Sequence, residues 1–158
     1  MDKIIIRKAK INDLRVIQQL NHELFILEKE NYDSTLIENW PLTDKGSEYF
    51  TDMINNHYVV VAVLNDEIVG YLAGSINEKW TYEEIQYGEI NNMLVKDTYR
   101  KYGIGKQLIS EFKKYCKQNN INNIKVTASY KNKSAISFYK KNGFNEFNIT
   151  LTWNLKNS

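Results

Sequence analysis

The chain opens on a β-branched run, Ile4-Ile5-Ile6, that predicts a strand. Asn12 or Asp13 can cap the next segment, where Leu14, Ile17, Leu20, Leu24 and Leu27 recur at helical spacing. Residues 28–46 break that period. They mix Glu28, Glu30, Asp33 and Glu38 with Pro41 and Gly46, and read as a loop leading into a second helix around residues 47–55. Residues 57–64 form a near-continuous apolar run that predicts a buried strand. Asn65-Asp66 is a tight-turn pair, and residues 67–76 return as the hairpin partner. Gly70 within that partner marks a bulge or a close backbone approach. A further strand is expected over 85–95. A helix over 104–118 follows, with Ile104, Leu108, Phe112, Tyr115 and Cys116 on one face. Asn119-Asn120 ends it. Residues 124–128 predict a strand, and 134–141 a short helix stopped by Gly143. Residues 144–155 predict a closing strand.

This order predicts one α/β domain over residues 1–158. Its first strands are antiparallel hairpins, and the strand–helix–strand unit across 90–128 is parallel with a right-handed crossover.

Composition narrows the function classes. Hydrophobic residues make up 42% of the 158 and charged residues 25%, an ordinary globular profile. A net charge of +2, with basic residues spread along the chain, gives no argument for nucleic acid. A lone cysteine, Cys116, excludes an internal disulfide and a cysteine-rich zinc site, and fits a small core residue. His22 and His57 lack partners at metal-ligand spacing, so no metal is expected. No apolar run reaches the roughly 20 residues that span a bilayer, and no signal-peptide pattern opens the chain. A soluble cytoplasmic protein without a membrane partner is expected.

The chemistry concentrates at Arg100-Lys101-Tyr102-Gly103-Ile104-Gly105-Lys106, between a strand and an amphipathic helix. Two glycines leave backbone N–H groups open to an anionic ligand. The helix adds the positive end of its dipole, and Arg100, Lys101 and Lys106 add full charges. A pyrophosphate fits such a site. A Walker A loop fails, because the glycine spacing and the Lys-Ser/Thr pair are missing. A dinucleotide fingerprint fails too: Leu108 stands where a third small residue belongs, and Lys125-Val126-Thr127 supplies no acid at the end of the next strand.

Arg100-x-x-Gly103-x-Gly105 resembles the acetyl-CoA signature of the GCN5-related N-acetyltransferase (GNAT) superfamily. The segment from Asn132 to Phe144, with Ala135, Tyr139 and Gly143, is similar to a second motif of that family, and the element order matches from end to end. The resemblance implies a mixed, mostly antiparallel sheet with a splayed parallel strand pair, flanked by about four helices. It implies acetyl-CoA as co-substrate, its pantetheine arm against the main chain of Met93, Leu94 and Val95 and its pyrophosphate on amides across Lys101–Lys106. Tyr139 matches the tyrosine on the thiol side. Glu89, eleven residues before Arg100, matches a glutamate base, with a solvent-facing strand acid as the plain alternative. Alternation puts Glu89, Asn91 and Met93 on one face unless a bulge intervenes. Asn132 either contacts the cofactor or caps the helix after it.

The implied reaction is direct acetyl transfer to a primary amine, on a small molecule or a protein, in a ternary complex. A catalytically silent CoA-sensing module of the same fold would share the phosphate site. The acceptor end falls on Glu28, Glu30, Asp33 and Glu38 with Tyr32, Trp40 and Tyr49, acids and aromatics suited to a cationic amine. Trp80 and Tyr82 border the same mouth in this reading, and a homodimer is a possible assembly.

Overall fold

The computed structural model describes residues 2–157. Strand β1 (Ile5–Lys8) leads into helix α1 (Leu14–Asn31), and α2 (Asp44–Asn56) follows. Strands β2 (Tyr58–Leu64), β3 (Glu67–Ile76) and β4 (Tyr87–Val95) come next, then α3 (Ile104–Gln118), β5 (Asn123–Val126) and α4 (Lys133–Lys141). The five strands lie in the order β1-β2-β3-β4-β5. The first three pairings are antiparallel, and β4 with β5 is parallel.

The expected hairpin forms as read. Asn65 and Asp66 both take positive φ, 50° and 62°, the turn whose twist matches that of the flanking strands. At Gly70 both expected features occur. Ala62 pairs with Gly70 and Val63 with Ile68, so Val69 is an extra residue beside it. A Cβ at Gly70 would also lie 3.0 Å from the Leu94 carbonyl oxygen.

The sheet is covered on both faces, which explains the unbroken apolar run of β2. Tyr58, Val60 and Ala62 point toward α3 and pack with Leu108, Phe112 and Cys116. Val59 and Val61 point the other way, onto Ile17 and Leu20 of α1 and Phe50 and Met53 of α2. Burial pushes the Cys116 thiol up to about 11, consistent with an inert core residue. The Arg7 guanidinium holds Asp13 from two nitrogens at 2.8 and 3.1 Å, and the same carboxylate accepts from the Lys10 amide at 2.8 Å. That clamp joins β1 to the start of α1.

Two expectations change. Helix α2 begins at Asp44 rather than near 47, because the Thr43 hydroxyl accepts from the Gly46 amide at 3.3 Å and caps it. The closing strand does not join the sheet. Residues 144–154 have no assigned secondary structure, and β5 remains the edge.

Candidate active site

The parallel pair β4–β5 is short for the length of β4. Tyr87 to Ile90 pair with Asn123 to Val126, and β4 then runs on to Val95 with no partner on that side among the described residues. The strands part after Ile90, and the open edge of β4 includes Met93, Leu94 and Val95.

A bulge marks the parting point. Ile90 pairs with Gly74 and Asn92 with Ala73, so Asn91 has no opposite residue on β3. The extra residue flips the alternation. Gly88 and Ile90 face α3, which places Glu89 toward α1 and α2, whereas Met93, beyond the bulge, packs on the α3 side. The expectation that Glu89 and Met93 share a face is therefore corrected. Asn92 takes the α1–α2 side, where its Nδ2 donates to the Tyr49 hydroxyl at 3.1 Å.

Beyond β4 the chain makes a 3-10 turn over Asp97–Tyr102 and enters α3 through Gly103. Gly103 holds φ +74° with open space around it, a conformation that costs a side-chain-bearing residue about 1–2 kcal/mol. As N-cap it has no side chain to offer, so the amides of Ile104, Gly105 and Lys106 meet no intrahelical acceptor. Gly105 serves packing: a Cβ there would stand 2.8 Å from Phe138 Cζ on α4. Lys101, Tyr102 and Lys106 are exposed. Arg100 is exposed as well but tethered, its Nε donating to the Val95 carbonyl at 3.0 Å and its Nη1 pairing with Asp97 at 2.5 Å. Arg100 thus fixes the loop against the end of β4.

Tyr139 on α4 is half-buried between the rings of Phe138 and Phe144, at centroid distances of 5.2 and 5.4 Å. Its hydroxyl has no hydrogen-bond partner among the described residues. Burial first, then the carboxylate of Glu28, pushes it up to about 12. Tyr139 packs with the α3-side core, whereas Glu28 belongs to α1 on the other face. Where the strands part, groups from opposite faces of the sheet come within electrostatic reach. Asn132 caps α4, its Oδ1 accepting from the Ala135 amide at 3.0 Å.

A model of the acetyltransferase (GNAT) family matches residues 17–144, most of the chain. The chain belongs to the GNAT family. The resemblance read from its glycine loop and its Asn132–Phe144 segment is borne out, as is the mixed sheet with a splayed parallel pair. It is 31% identical over 93 residues to an uncharacterized N-acetyltransferase of Methanocaldococcus jannaschii, covering 59% of this chain and 41% of that protein. The matched region is thus less than half that relative's length. It is 26% identical over 152 residues to an N-alpha-acetyltransferase of Sulfurisphaera tokodaii, covering 91% of this chain and 81% of that one. Among solved structures, a protein of Clostridium acetobutylicum described as a predicted acetyltransferase, solved with acetyl-CoA, shares the fold. Its TM-score is 0.76 at 24% identity, over 99% of both chains.

The α1–α2 side of this GNAT chain sorts its acids. Glu28 is half-buried, and burial with the nearby Asp33 charge raises its carboxyl above the usual range. Asp33 is exposed and engaged locally, accepting from the Thr35 amide at 3.0 Å and hydroxyl at 2.5 Å. Glu30 is exposed, whereas Glu38 and Tyr32 are half-buried. Trp40 stacks on Phe25 at 5.8 Å and meets Tyr49 edge-on at 5.6 Å. Glu89 accepts from Asn77 Nδ2 at 2.7 Å. Trp80 and Tyr82 stack on each other in the β3–β4 loop, at the end of β4 that pairs with β5.

Sequence reasoning missed a polar chain behind the site. Asn21 Nδ2 donates to the Tyr71 hydroxyl at 2.8 Å, and Tyr71 donates to Asn92 Oδ1 at 2.7 Å. The signal was there: Asn91-Asn92 stands between Ile90 and the apolar run Met93-Leu94-Val95, and buried amides need partners. Among the described residues, no cluster of His, Cys, Asp and Glu could hold a metal, and no helix is long and apolar enough to cross a membrane.

Proposed function

We propose that this chain is an acetyl-CoA-dependent N-acetyltransferase that moves the acetyl group to a primary amine by direct attack in a ternary complex. The observation that carries the reading is the open edge of β4 beyond Ile90, lying between the uncapped N-terminus of α3 and the unpartnered Tyr139 hydroxyl. An extended amide-bearing arm pairs with a bare strand edge, and a pyrophosphate suits bare amides at a helix N-terminus. Acetyl-CoA carries both groups. The acetyl-CoA in the Clostridium acetobutylicum structure supports the same choice.

In this reading the pyrophosphate rests on amides across Lys101–Lys106, with Lys101 and Lys106 supplying charge and Tyr102 lying alongside. The pantetheine arm lies along Met93, Leu94 and Val95, and Asn132 keeps α4 aligned beside it. The amine enters from the α1–α2 side. Glu28 attracts it as a cation, and Glu89 takes the proton that the nitrogen must shed. The nitrogen attacks the thioester carbon, a tetrahedral intermediate forms, and the C–S bond breaks.

The raised Tyr139 phenol decides how the sulfur leaves. At about 12 it is fully protonated near neutral pH, yet it is a weaker acid than an ordinary thiol of about 8.5. Handing its proton to the thiolate is therefore uphill by several units. Tyr139 acts as a hydrogen-bond donor to the developing thiolate, and solvent supplies the proton afterwards.

The test is thiol release from acetyl-CoA against polyamines, aminoglycosides, amino acids, lysine peptides and peptides with free N-termini. Amine-dependent release with matching acetylated product supports the reading. Tight binding of CoA and acetyl-CoA without any transfer favours a sensor of the same fold.

A further inference from the structure

Asn21 of α1, Tyr71 of β3, Asn92 of β4 and Tyr49 of α2 form one line of hydrogen bonds, and the line has a direction. Asn21 Nδ2 donates to the Tyr71 oxygen, Tyr71 gives its single proton to Asn92 Oδ1, and Asn92 Nδ2 donates to the Tyr49 oxygen. The sense is set at the buried end. Asn21 is 1% exposed, and its Oδ1 has no partner among the described residues. Turning both amides round would run the line backwards and orphan the Asn21 NH2 group instead. A buried N–H without a partner is rarer in folded proteins than an under-used carbonyl, so the line runs outward.

It ends at Tyr49, whose oxygen accepts and whose own proton meets no acceptor among the described residues. The Tyr49 ring is half-buried and held edge-on against Trp40 at 5.6 Å and Phe50 at 4.8 Å, so the free O–H keeps one place. Burial raises the phenol above its ordinary value against the effect of the Asn92 contact, and the Glu89 and Asp52 charges raise it further. It therefore stays protonated at neutral pH. Its position matters for the site. Asn92 is the first residue past the bulge, and Glu89 lies before the bulge on the same α1–α2 side, within electrostatic reach of the phenol. A carboxylate and a fixed O–H donor thus flank one stretch of open-edged strand.

We infer that Tyr49 is a specificity-determining residue whose O–H donates to the acceptor, so that the preferred amine carries a hydrogen-bond-accepting oxygen two carbons from its nitrogen. The inference rests on the acetyltransferase reading above and narrows its acceptor. With the nitrogen at Glu89, the next atoms of a small amine extend toward Tyr49. A peptide N-terminus has such an oxygen in its first carbonyl, and an amino sugar has one in a ring oxygen or hydroxyl. A plain diamine and a lysine side chain have none there. A site built to pair with an oxygen turns away an amine that lacks it, because the fixed donor is then left without a partner. Asn21, Tyr71 and Asn92 are positioning residues. They keep the Tyr49 oxygen occupied as an acceptor and so turn its proton outward.

The experiment compares 2-methoxyethylamine with butylamine, equal in length and different by one ether oxygen that can only accept. The quantity followed is the ratio of their kcat/KM values, since the lower basicity of the ether amine enters every variant alike. Tyr49→Phe should lower that ratio about 10-fold, mainly through KM of the ether amine. Asn92→Asp should lower it too, because a carboxylate oxygen in place of Nδ2 takes the Tyr49 proton while the phenol stays. That variant decides if Tyr49→Phe yields no folded protein. Alanine amide and 6-amino-6-deoxyglucose in the same assay tell the two sources of the oxygen apart, the true one losing more to Tyr49→Phe. An unchanged ratio overturns the inference, and an equal loss for both amines would make Tyr49 structural only. If no amine is acetylated at all, the acetyltransferase reading fails separately. NMR titration of the two amines in the presence of CoA then decides. Tighter binding of the ether amine that Tyr49→Phe abolishes sustains the inference, and equal binding overturns it.

Discussion

The Tyr71 hydroxyl donates to Asn92 Oδ1 at 2.7 Å, tying the middle of β3 to the first residue past the bulge in β4. Tyr71 is fully buried, and it also accepts from Asn21 Nδ2 at 2.8 Å, while Asn21 Oδ1 is buried with no partner among the described residues. The network spans α1, β3, β4 and, through Tyr49, α2. Tyr71→Phe would strand the Asn21 donor and one Asn92 acceptor together, at a cost of about 1–3 kcal/mol. Urea unfolding should show that loss. Asn92→Ala should cost a similar amount, and the double variant much less than their sum, because both break one chain of bonds. Additive losses would show that Tyr71 and Asn92 act apart.

Tyr139→Phe removes one hydroxyl and keeps the packing against Phe138 and Phe144. Turnover should fall on the order of 100-fold, the usual effect of losing one donor to a developing anion. Acetyl-CoA affinity should hold, because the proposed phosphate site lies at the start of α3. With the phenol held near 12, the unaltered protein should show no loss of kcat from Tyr139 ionisation between pH 7 and 10. A steady-state pH profile of both proteins checks this. Equal turnover would remove Tyr139 from the reaction.

The two loop glycines should fail in different ways. Gly103→Ala meets open space, so its penalty is the left-handed backbone alone, about 1–2 kcal/mol, or a reshaped entry to α3. Gly105→Ala drives a methyl toward Phe138 and must displace α4 or that ring, costing about 1–3 kcal/mol as overpacking does. Because α4 carries Tyr139, Gly105→Ala should lower kcat more than acetyl-CoA affinity, and Gly103→Ala the reverse. Thermal unfolding with and without acetyl-CoA, alongside kinetics, separates the two. Identical profiles would mean that both glycines serve one purpose.

What the sequence made legible follows from what each signal encodes. Strand β2 and the α3 face were readable because burial on two faces leaves an unbroken apolar run from Val59 to Val63, and burial on one leaves a helical period in Leu108, Phe112 and Cys116. The glycine loop was readable because only glycine takes the φ of Gly103 cheaply. The bulge at Asn91 was not, since an inserted strand residue carries no mark of its own and two adjacent asparagines fit either face. Arg100 stands out in the sequence as a candidate ligand cation, and only the fold brings the Val95 carbonyl to its Nε. Residues 144–155 read as a closing strand, and the structure assigns no strand there. Alternation at Ile149 and Leu151 reports a face suited to burial, without supplying the paired edge that makes a strand.

Glu28 should trade stability for substrate capture. Burial raises its carboxyl, with the Asp33 charge adding, so the folded chain holds the proton more tightly than the unfolded one. The sign follows by linkage. The stabilising contribution is fully present below the ordinary value of 4.5 and is lost as pH rises through the folded value. At neutral pH the charged form is the destabilised one. Glu28→Gln should therefore raise the urea midpoint at pH 7 and converge with the unaltered protein as pH falls below 4.5. The same change should raise KM for a cationic amine more than it lowers kcat, while Glu89→Gln should lower kcat more than it raises KM. A Glu28→Gln protein less stable at pH 7 would reveal a favourable partner for that carboxylate. Unchanged KM would place the amine elsewhere along the α1–α2 face.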